Sequence, residues 1–482
     1  MNITKVITLC LFLCSTQLKG KDTVKYNVLM IIVDDLSSLV QQMDNKDLHI
    51  PHLRKLMESG RSFERAYCQA PLCNPSRTSF MTGRRPNETH IYTNDPHFRG
   101  VNKRLKTIPQ HFKEQGYFTA GIGKIFHNWG QAIQGDPISW TEEEMYHWGT
   151  HSSDWYIPNR PYQMHIDIPK GPAVQCVDVV DEAYVDGRIA QAAVQKLTAW
   201  SEVPFFMAIG FWKPHLPFNA PKKYWDLYDR NQLPKLKYTE PVVDVPEIAY
   251  VDSDEARSYS DVNRHQLVPI KQKAELRHGY CAAISYLDAQ IGKVLDQLEK
   301  LQLSEKTHVV FVSDHGYHAG EHGQFGKWTN FEIGTRVPLI IASPEVKNPG
   351  EPSFQVVELI DLFPTLTDLC NLPAPKLRVN LQGKSLVPYL QDSEVKGNTY
   401  AVTEIARPIG GEATFKSIGS SIRSNTHRYT FWRDRFSGEI LEEEFYDLQS
   451  DPFEVVNIAQ SEKDQAIKMK LQNKLLQIIE CK

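Results

Sequence analysis

Four stretches of this sequence run apolar and then stop abruptly on ionisable side chains. They are NVLMIIVDD (Asn27–Asp35), YFTAGIGK (Tyr117–Lys124), PFFMAIGFWKPH (Pro204–His215) and THVVFVSDHG (Thr307–Gly316). A continuous apolar run suits a strand buried on both faces, as in the centre of a parallel sheet. Parallel strands need helical crossovers, and helical spacing lies between the runs. It appears in IPHLRKLMESG (Ile50–Gly60, with Gly60 read as the C-cap), IPQHFKEQG (Ile108–Gly116), RIAQAAVQKLTAW (Arg188–Trp200) and a long stretch from Lys271 to Leu301. VPLIIAS (Val337–Ser343) adds a further strand. The alternation predicts an α/β fold with a mostly parallel or mixed sheet. Ligands in such sheets bind beyond the carboxyl ends of the strands. Asp34, Asp35, Lys124, His215, Asp314 and His315 are expected at that end.

The texture changes after Asn398. SIRSNTHRYTFWRD (Ser421–Asp434) and EEEFYDLQSDP (Glu442–Pro452) alternate like antiparallel strands, and Lys463–Glu480 reads as an amphipathic helix. A catalytic domain over 21–395 and a smaller α+β subdomain over 396–482, with a small antiparallel sheet and a terminal helix, are expected. The Pro-, Tyr- and charge-rich stretch Pro217–Asp261 reads as a surface excursion.

The first residues, Met1–Gly20, pair Lys5 with a short apolar core and read as a cleaved signal peptide. No later stretch is apolar enough to span a bilayer. A formal net charge of -4 over 482 residues gives no support for nucleic-acid binding. Asn87-Glu88-Thr89 is a glycosylation sequon that a secretory route makes usable, with Asn87 as acceptor. Cys68, Cys73, Cys176, Cys281, Cys370 and Cys481 lie beyond the signal, too sparse for a disulfide scaffold.

Asp34, Asp35 and Asp314 together offer a cage for a hard cation, although Asp also serves turns and caps, and His315 favours a softer metal. Lys124, His127, His215 and Lys327 are suited to holding an oxyanion and moving a proton. Taken singly, each fits a surface charge or a structural histidine better, and only their joint placement points to the chemistry. Cys73 opens CNPSRTSFMTG (Cys73–Gly83), with Pro75 near a helix start and Ser76 able to cap it. It fits an activated thiol or a buried cysteine in a strand-to-helix turn.

Cys73–Gly83 resembles in full the signature C-x-P-S-R-x-x-x-x-T-G of the formylglycine-dependent sulfatase family. NVLMIIVDDL, GKIFH (Gly123–His127), KPHLPF (Lys213–Phe218) and Ser313–Ile340 are similar to its companion segments, most of all in the branch that removes 2-O-sulfate from iduronate. The resemblance implies an alkaline-phosphatase-like large mixed sheet flanked by helices. It implies oxidation of Cys73 to formylglycine by the formylglycine-generating enzyme. It implies Ca²⁺ held by Asp34, Asp35, Asp314, His315 and the modified Cys73. Arg77 would stabilise the formylglycine hydrate and His127 would assist it. Lys124 and Lys327 would grip sulfate, and His215 would contact substrate and protonate the leaving sugar oxygen. The substrate would be sulfated glycosaminoglycan, heparan and dermatan sulfate, and the setting lysosomal or secreted. Departures accompany it: Tyr317 stands where a tryptophan is expected, and the family's cysteine pairs at Cys176 and near Cys370 are missing, which with Cys73 converted leaves five mature cysteines, an odd number. Related hydrolases with a threonine or serine nucleophile need a second metal site, and no second Asp…His cluster is evident to complete one. A hydrolase of another sulfated sugar, a phosphonate or a phosphodiester, and a silent glycan-binding homologue, remain alternatives.

Overall fold

The computed structural model describes residues 25–480 except 42–46, 128–132, 147–170, 252–253, 264–267, 378, 398–399 and 412. The predicted signal peptide and Cys481 lie outside the described residues. The larger sheet has eight strands: β1 (Asn27–Asp34), β2 (Arg61–Tyr67), β3 (Phe118–Gly123), β4 (Phe205–Pro214), β5 (Thr307–Ser313), β6 (Arg336–Val337), β7 (Leu339–Ala342) and β8 (Ser353–Glu358). They run in the order β6–β2–β7–β5–β1–β4–β3, with β8 also paired to β2. β3, β4, β1 and β5 are parallel neighbours. β7 runs antiparallel to β5 and β2, which makes the sheet mixed.

β1 is buried at every position. Leu29, Ile31 and Val33 enter one core with Ile189 and Leu197 of helix α3 (Val185–Ala199) and Ile284 and Ile291 of helix α4 (Ile270–Lys300). Val28, Met30 and Ile32 enter the opposite core with Phe80 of helix α2 (Cys73–Thr82) and Phe363. The period of two therefore delivers apolar side chains to both faces, and helices cover both.

Helix α1 (Pro51–Ser59) is capped at Gly60 as expected, with that residue extended at φ -131° and its N–H on the Met57 carbonyl. Crowding also calls for glycine there, since a Cβ would meet the Ile341 carbonyl oxygen at 2.8 Å. One local expectation fails for a physical reason. The stretch from Pro217 to Asp261 is not a surface excursion throughout. Phe218–Pro221 forms a buried strand paired with Val174–Val177, and Ala256 and Tyr259 join the core.

The second sheet is an antiparallel meander of β9 (Tyr400–Arg407), β10 (Ser417–Ser424), β11 (His427–Asp434) and β12 (Ile440–Asp447). Helix α5 (Gln465–Glu480) lays Leu471, Leu475 and Ile479 on Ile422, Tyr429 and Phe445. Among the described residues, no helix is long and apolar enough to cross a membrane. Cys68, Cys73, Cys176, Cys281 and Cys370 are all free.

His308 makes part of this core acid-sensitive. Its Nδ1 lies 2.8 Å from Ser343 Oγ and its Nε2 3.2 Å from the Leu369 carbonyl oxygen. Burial pushes its pKa down to about 4, with the Leu369 carbonyl acting in the opposite direction. The unfolded chain therefore binds the extra proton first, and stability falls as pH drops from about 6.5 toward 4. Between pH 7 and pH 5 this residue is expected to remove about 2 kcal/mol. Urea unfolding of His308→Gln at both pH values should show a correspondingly smaller loss than wild type. Equal losses would contradict it.

Candidate active site

The site lies where β3, β4, β1 and β5 end side by side. β1 ends at Asp34, and Asp35 follows in the left-handed region at φ 64°, a conformation that Asp tolerates better than most residues. The turn is fixed by Tyr280, whose hydroxyl donates to the Asp35 carbonyl at 2.8 Å and accepts from the Ser37 N–H at 2.9 Å. β3 leaves through Gly123 at φ +84°, where a Cβ would meet the Gly210 carbonyl oxygen at 2.1 Å. That close approach lets Lys124 donate its N–H to Gly210 at 2.8 Å and bury its side chain in the site.

Helix α2 begins at Cys73, and every residue in it is buried. Its first turn has no side-chain cap. Ser76 does not cap it: the hydroxyl donates to the carbonyl of Asp314. Gly83 closes the helix in the left-handed conformation at φ 66°, with its N–H on the Ser79 carbonyl. Arg77, one turn on from Cys73, binds three strand ends at once. Its Nε donates to Asp314 Oδ2 at 2.7 Å, and its other nitrogens donate to the carbonyls of Lys124, Ile125 and Val33.

Cys73 Sγ lies 3.5 Å from Asp34 Oδ1 and 3.3 Å from His315 Nε2. Lys124 Nζ pairs with Asp34 Oδ2. Lys327 Nζ donates to both oxygens of Asp35 at 2.9 Å and lies 3.2 Å from Glu255 Oε1. His315 Nδ1 is 3.2 Å from Asp35 Oδ1. His215 Nε2 is 3.0 Å from Glu255 Oε1 and 3.5 Å from Asp35 Oδ2. The structure thus gathers Asp34, Asp35, Cys73, Arg77, Lys124, His215, Asp314, His315 and Lys327 in one buried cluster. His127 lies near enough to feel the charges of Lys124 and Asp34.

Burial opposes charge throughout, and the neighbours decide who keeps it. Asp34 is fully buried, yet Lys124, His215, Arg77 and Lys327 outweigh that and hold its carboxyl well below the usual range. Asp35 goes the other way: burial, then Glu255 and Asp34, push it well up against the pull of Lys327 and His315. Burial and the Asp34 charge push the Cys73 thiol up to about 12. Burial and Lys327 push His215 down to about 4, with Glu255 opposing. Burial and Lys124 depress His127 well below the ordinary range.

Asp34, Cys73, Asp314 and His315 place ligand atoms within 4.8 Å of one another. Two buried carboxylates with an imidazole fit a divalent cation. Asp35, His215 and Glu255 form a second such group, which the sequence did not reveal. The Lys327 ammonium, lying against Asp35 and Glu255, already supplies positive charge there.

Glu255 is the site residue missed from sequence. It sits in SDEARSY, flanked by other charged residues, with no pattern to single it out. Tyr317 is fully buried behind the site, its ring stacked on Tyr280 with centroids 5.5 Å apart. Asn87 stands apart from the cluster, its Nδ2 donating to the Ile479 carbonyl at 3.0 Å. A glycan on that nitrogen requires the end of α5 to give way.

The sulfatase family matches residues 26–372, and the C-terminal region of N-sulphoglucosamine sulphohydrolase matches residues 320–481. Iduronate 2-sulfatase of Homo sapiens is 31% identical, with 94% of each chain covered. Choline-sulfatase of Rhizobium meliloti (strain 1021) is 28% identical, with 91% of this chain and 83% of that one covered. The phosphonate monoester hydrolase of Silicibacter pomeroyi shares the fold at a TM-score of 0.75 and 22% identity, with 94% of this chain and 95% of that one covered. With one family spanning the strands that build the cluster and a relative this similar end to end, the chain belongs to the sulfatase family.

Proposed function

We propose that the protein removes the 2-O-sulfate from iduronate residues of heparan and dermatan sulfate, in a lysosomal or secreted setting. The observation that carries this reading is the 31% identity to iduronate 2-sulfatase over 94% of both chains. The charge arrangement of the site is compatible with it.

Cys73 is proposed to be converted to formylglycine by the formylglycine-generating enzyme in the secretory pathway, which the apolar segment at 1–20 would enter. Formylglycine supplies a hydrated aldehyde as nucleophile. A thiol pushed up to about 12 is a poor one, because it carries little thiolate at neutral or acid pH. Asp34, Asp35, Asp314 and His315, with the modified Cys73, would hold Ca²⁺. When bound, the ion supplies positive charge to sulfate oxygens and lowers the pKa of a coordinated hydroxyl.

The chain's own residues do the rest. Arg77, locked to Asp314 and to the ends of β1 and β3, holds the position-73 side chain in register and stabilises its hydrated form. His127 assists the hydrate. Lys124 and Lys327 present ammonium groups near Cys73 and supply charge to a sulfate ester as its negative charge shifts. His215 Nδ1 donates to the Leu216 carbonyl, so the acid form of the ring carries its second proton on Nε2, facing Glu255 Oε1, whose charge favours that form against burial. That proton is available to the departing sugar oxygen. Glu255 also steadies Lys327, so it is a positioning residue.

Two outcomes follow. Purified secreted protein should release sulfate from a 2-sulfated iduronate disaccharide with higher kcat/KM than from 6-sulfated glucosamine, choline sulfate or an aryl phosphate. Equal or better turnover of any of these would overturn the substrate assignment. Glu255→Gln should lower kcat on the order of 10- to 100-fold, change KM little and displace the acid limb of the pH–rate profile. An unchanged profile would remove Glu255 from the proton path.

A further inference from the structure

We propose that His427, Asp447 and Asp464 form a separate metal site that takes a first-row divalent cation, Zn²⁺ being the representative, and ties the terminal helix to the C-terminal sheet. The three side chains come from three elements. His427 opens β11, Asp447 closes β12 directly across the ladder from it, and Asp464 immediately precedes α5. None belongs to the cluster around Cys73.

The decisive group is His427. Its side chain is only 5% exposed, and its Nε2 has no hydrogen-bond partner. That nitrogen faces Asp447 Oδ1 at 3.8 Å and Asp464 Oδ2 at 4.0 Å. Both distances are too long for a hydrogen bond. The other ring nitrogen, Nδ1, lies 2.8 Å from Thr426 Oγ1, and the ring stacks on Phe445 with centroids 5.3 Å apart. In the tautomer whose Nδ1–H donates to Thr426, Nε2 turns its lone pair toward both carboxylates, the way a metal-binding histidine is usually oriented; the proposal assigns that tautomer.

The Asp447 carboxylate is also held in place. Asp447 accepts from the Gln449 N–H at 3.1 Å on Oδ1 and from Ser450 Oγ at 2.8 Å on Oδ2. The only cation beside them among the described residues is Lys463, whose Nζ is 3.7 Å from Asp447 Oδ2 and 3.8 Å from Asp464 Oδ2. Its side chain is 66% exposed and can swing into water. One ligand atom from each residue lies within 4.8 Å of the others. Tetrahedral zinc, with ligands at about 2.0–2.2 Å, sets them about 3.4 Å apart, so the two histidine contacts need to close by about 0.5 Å and the carboxylate pair by up to about 1.4 Å. One imidazole and two carboxylates, with water completing the shell, favour a borderline metal over calcium.

The full chain, kept in excess Ca²⁺ so that the site around Cys73 is supplied, is titrated with Zn²⁺ by calorimetry. Bound zinc is counted by elemental mass spectrometry, beside His427→Gln and Asp464→Asn. Wild type should bind one Zn²⁺ more than either variant, and Zn²⁺ should raise the unfolding temperature of wild type alone. Equal zinc content in all three proteins, or no zinc on wild type, would overturn the proposal. If far-UV circular dichroism shows that His427→Gln has not folded, Asp464→Asn, at a partly exposed position, decides the comparison alone.

Discussion

The buried contact between Arg77 and Asp314 governs the rest of the site. Both side chains are wholly buried, and Nε meets Oδ2 at 2.7 Å. Removing two such charges from water costs several kcal/mol per ion, which only good geometry and further hydrogen bonds offset. Arg77 provides these by donating to the carbonyls that follow β3 and close β1. The arginine therefore sets the spacing of three strand ends, and through α2 it sets the position of Cys73. A lysine could not do this, because it lacks a planar fork of donors.

Around that contact the charges alternate. Lys124 answers Asp34, Lys327 answers Asp35 and Glu255, and His215 bridges Glu255 and Asp35. In a buried cluster each charge is tolerable only because of its neighbours, and the anionic ester and cation proposed to bind would have to exchange those partners.

Much of this was legible in the sequence, and the reasons are local. β1, β4 and β5 announce themselves because a strand buried on both faces must be apolar throughout. Their terminal acids and histidines stand out because charge is costly there unless used. Strand direction was less legible: nothing in VPLIIAS distinguishes the antiparallel β7 from a parallel strand. Glu255 was invisible, because its role depends on a long connection folding back over the sheet. Ser76 misled, since the hydroxyl that suits a helix cap is taken by the Asp314 carbonyl.

The buried thiol, its pKa pushed up to about 12, carries little thiolate, and the proposed activity rests on its conversion. Mass spectrometry of the peptide containing Cys73, from active secreted protein, tests this most directly. The account predicts a peptide in which one sulfur and two hydrogens of the cysteine are exchanged for one oxygen. Finding only intact cysteine in fully active protein would contradict it.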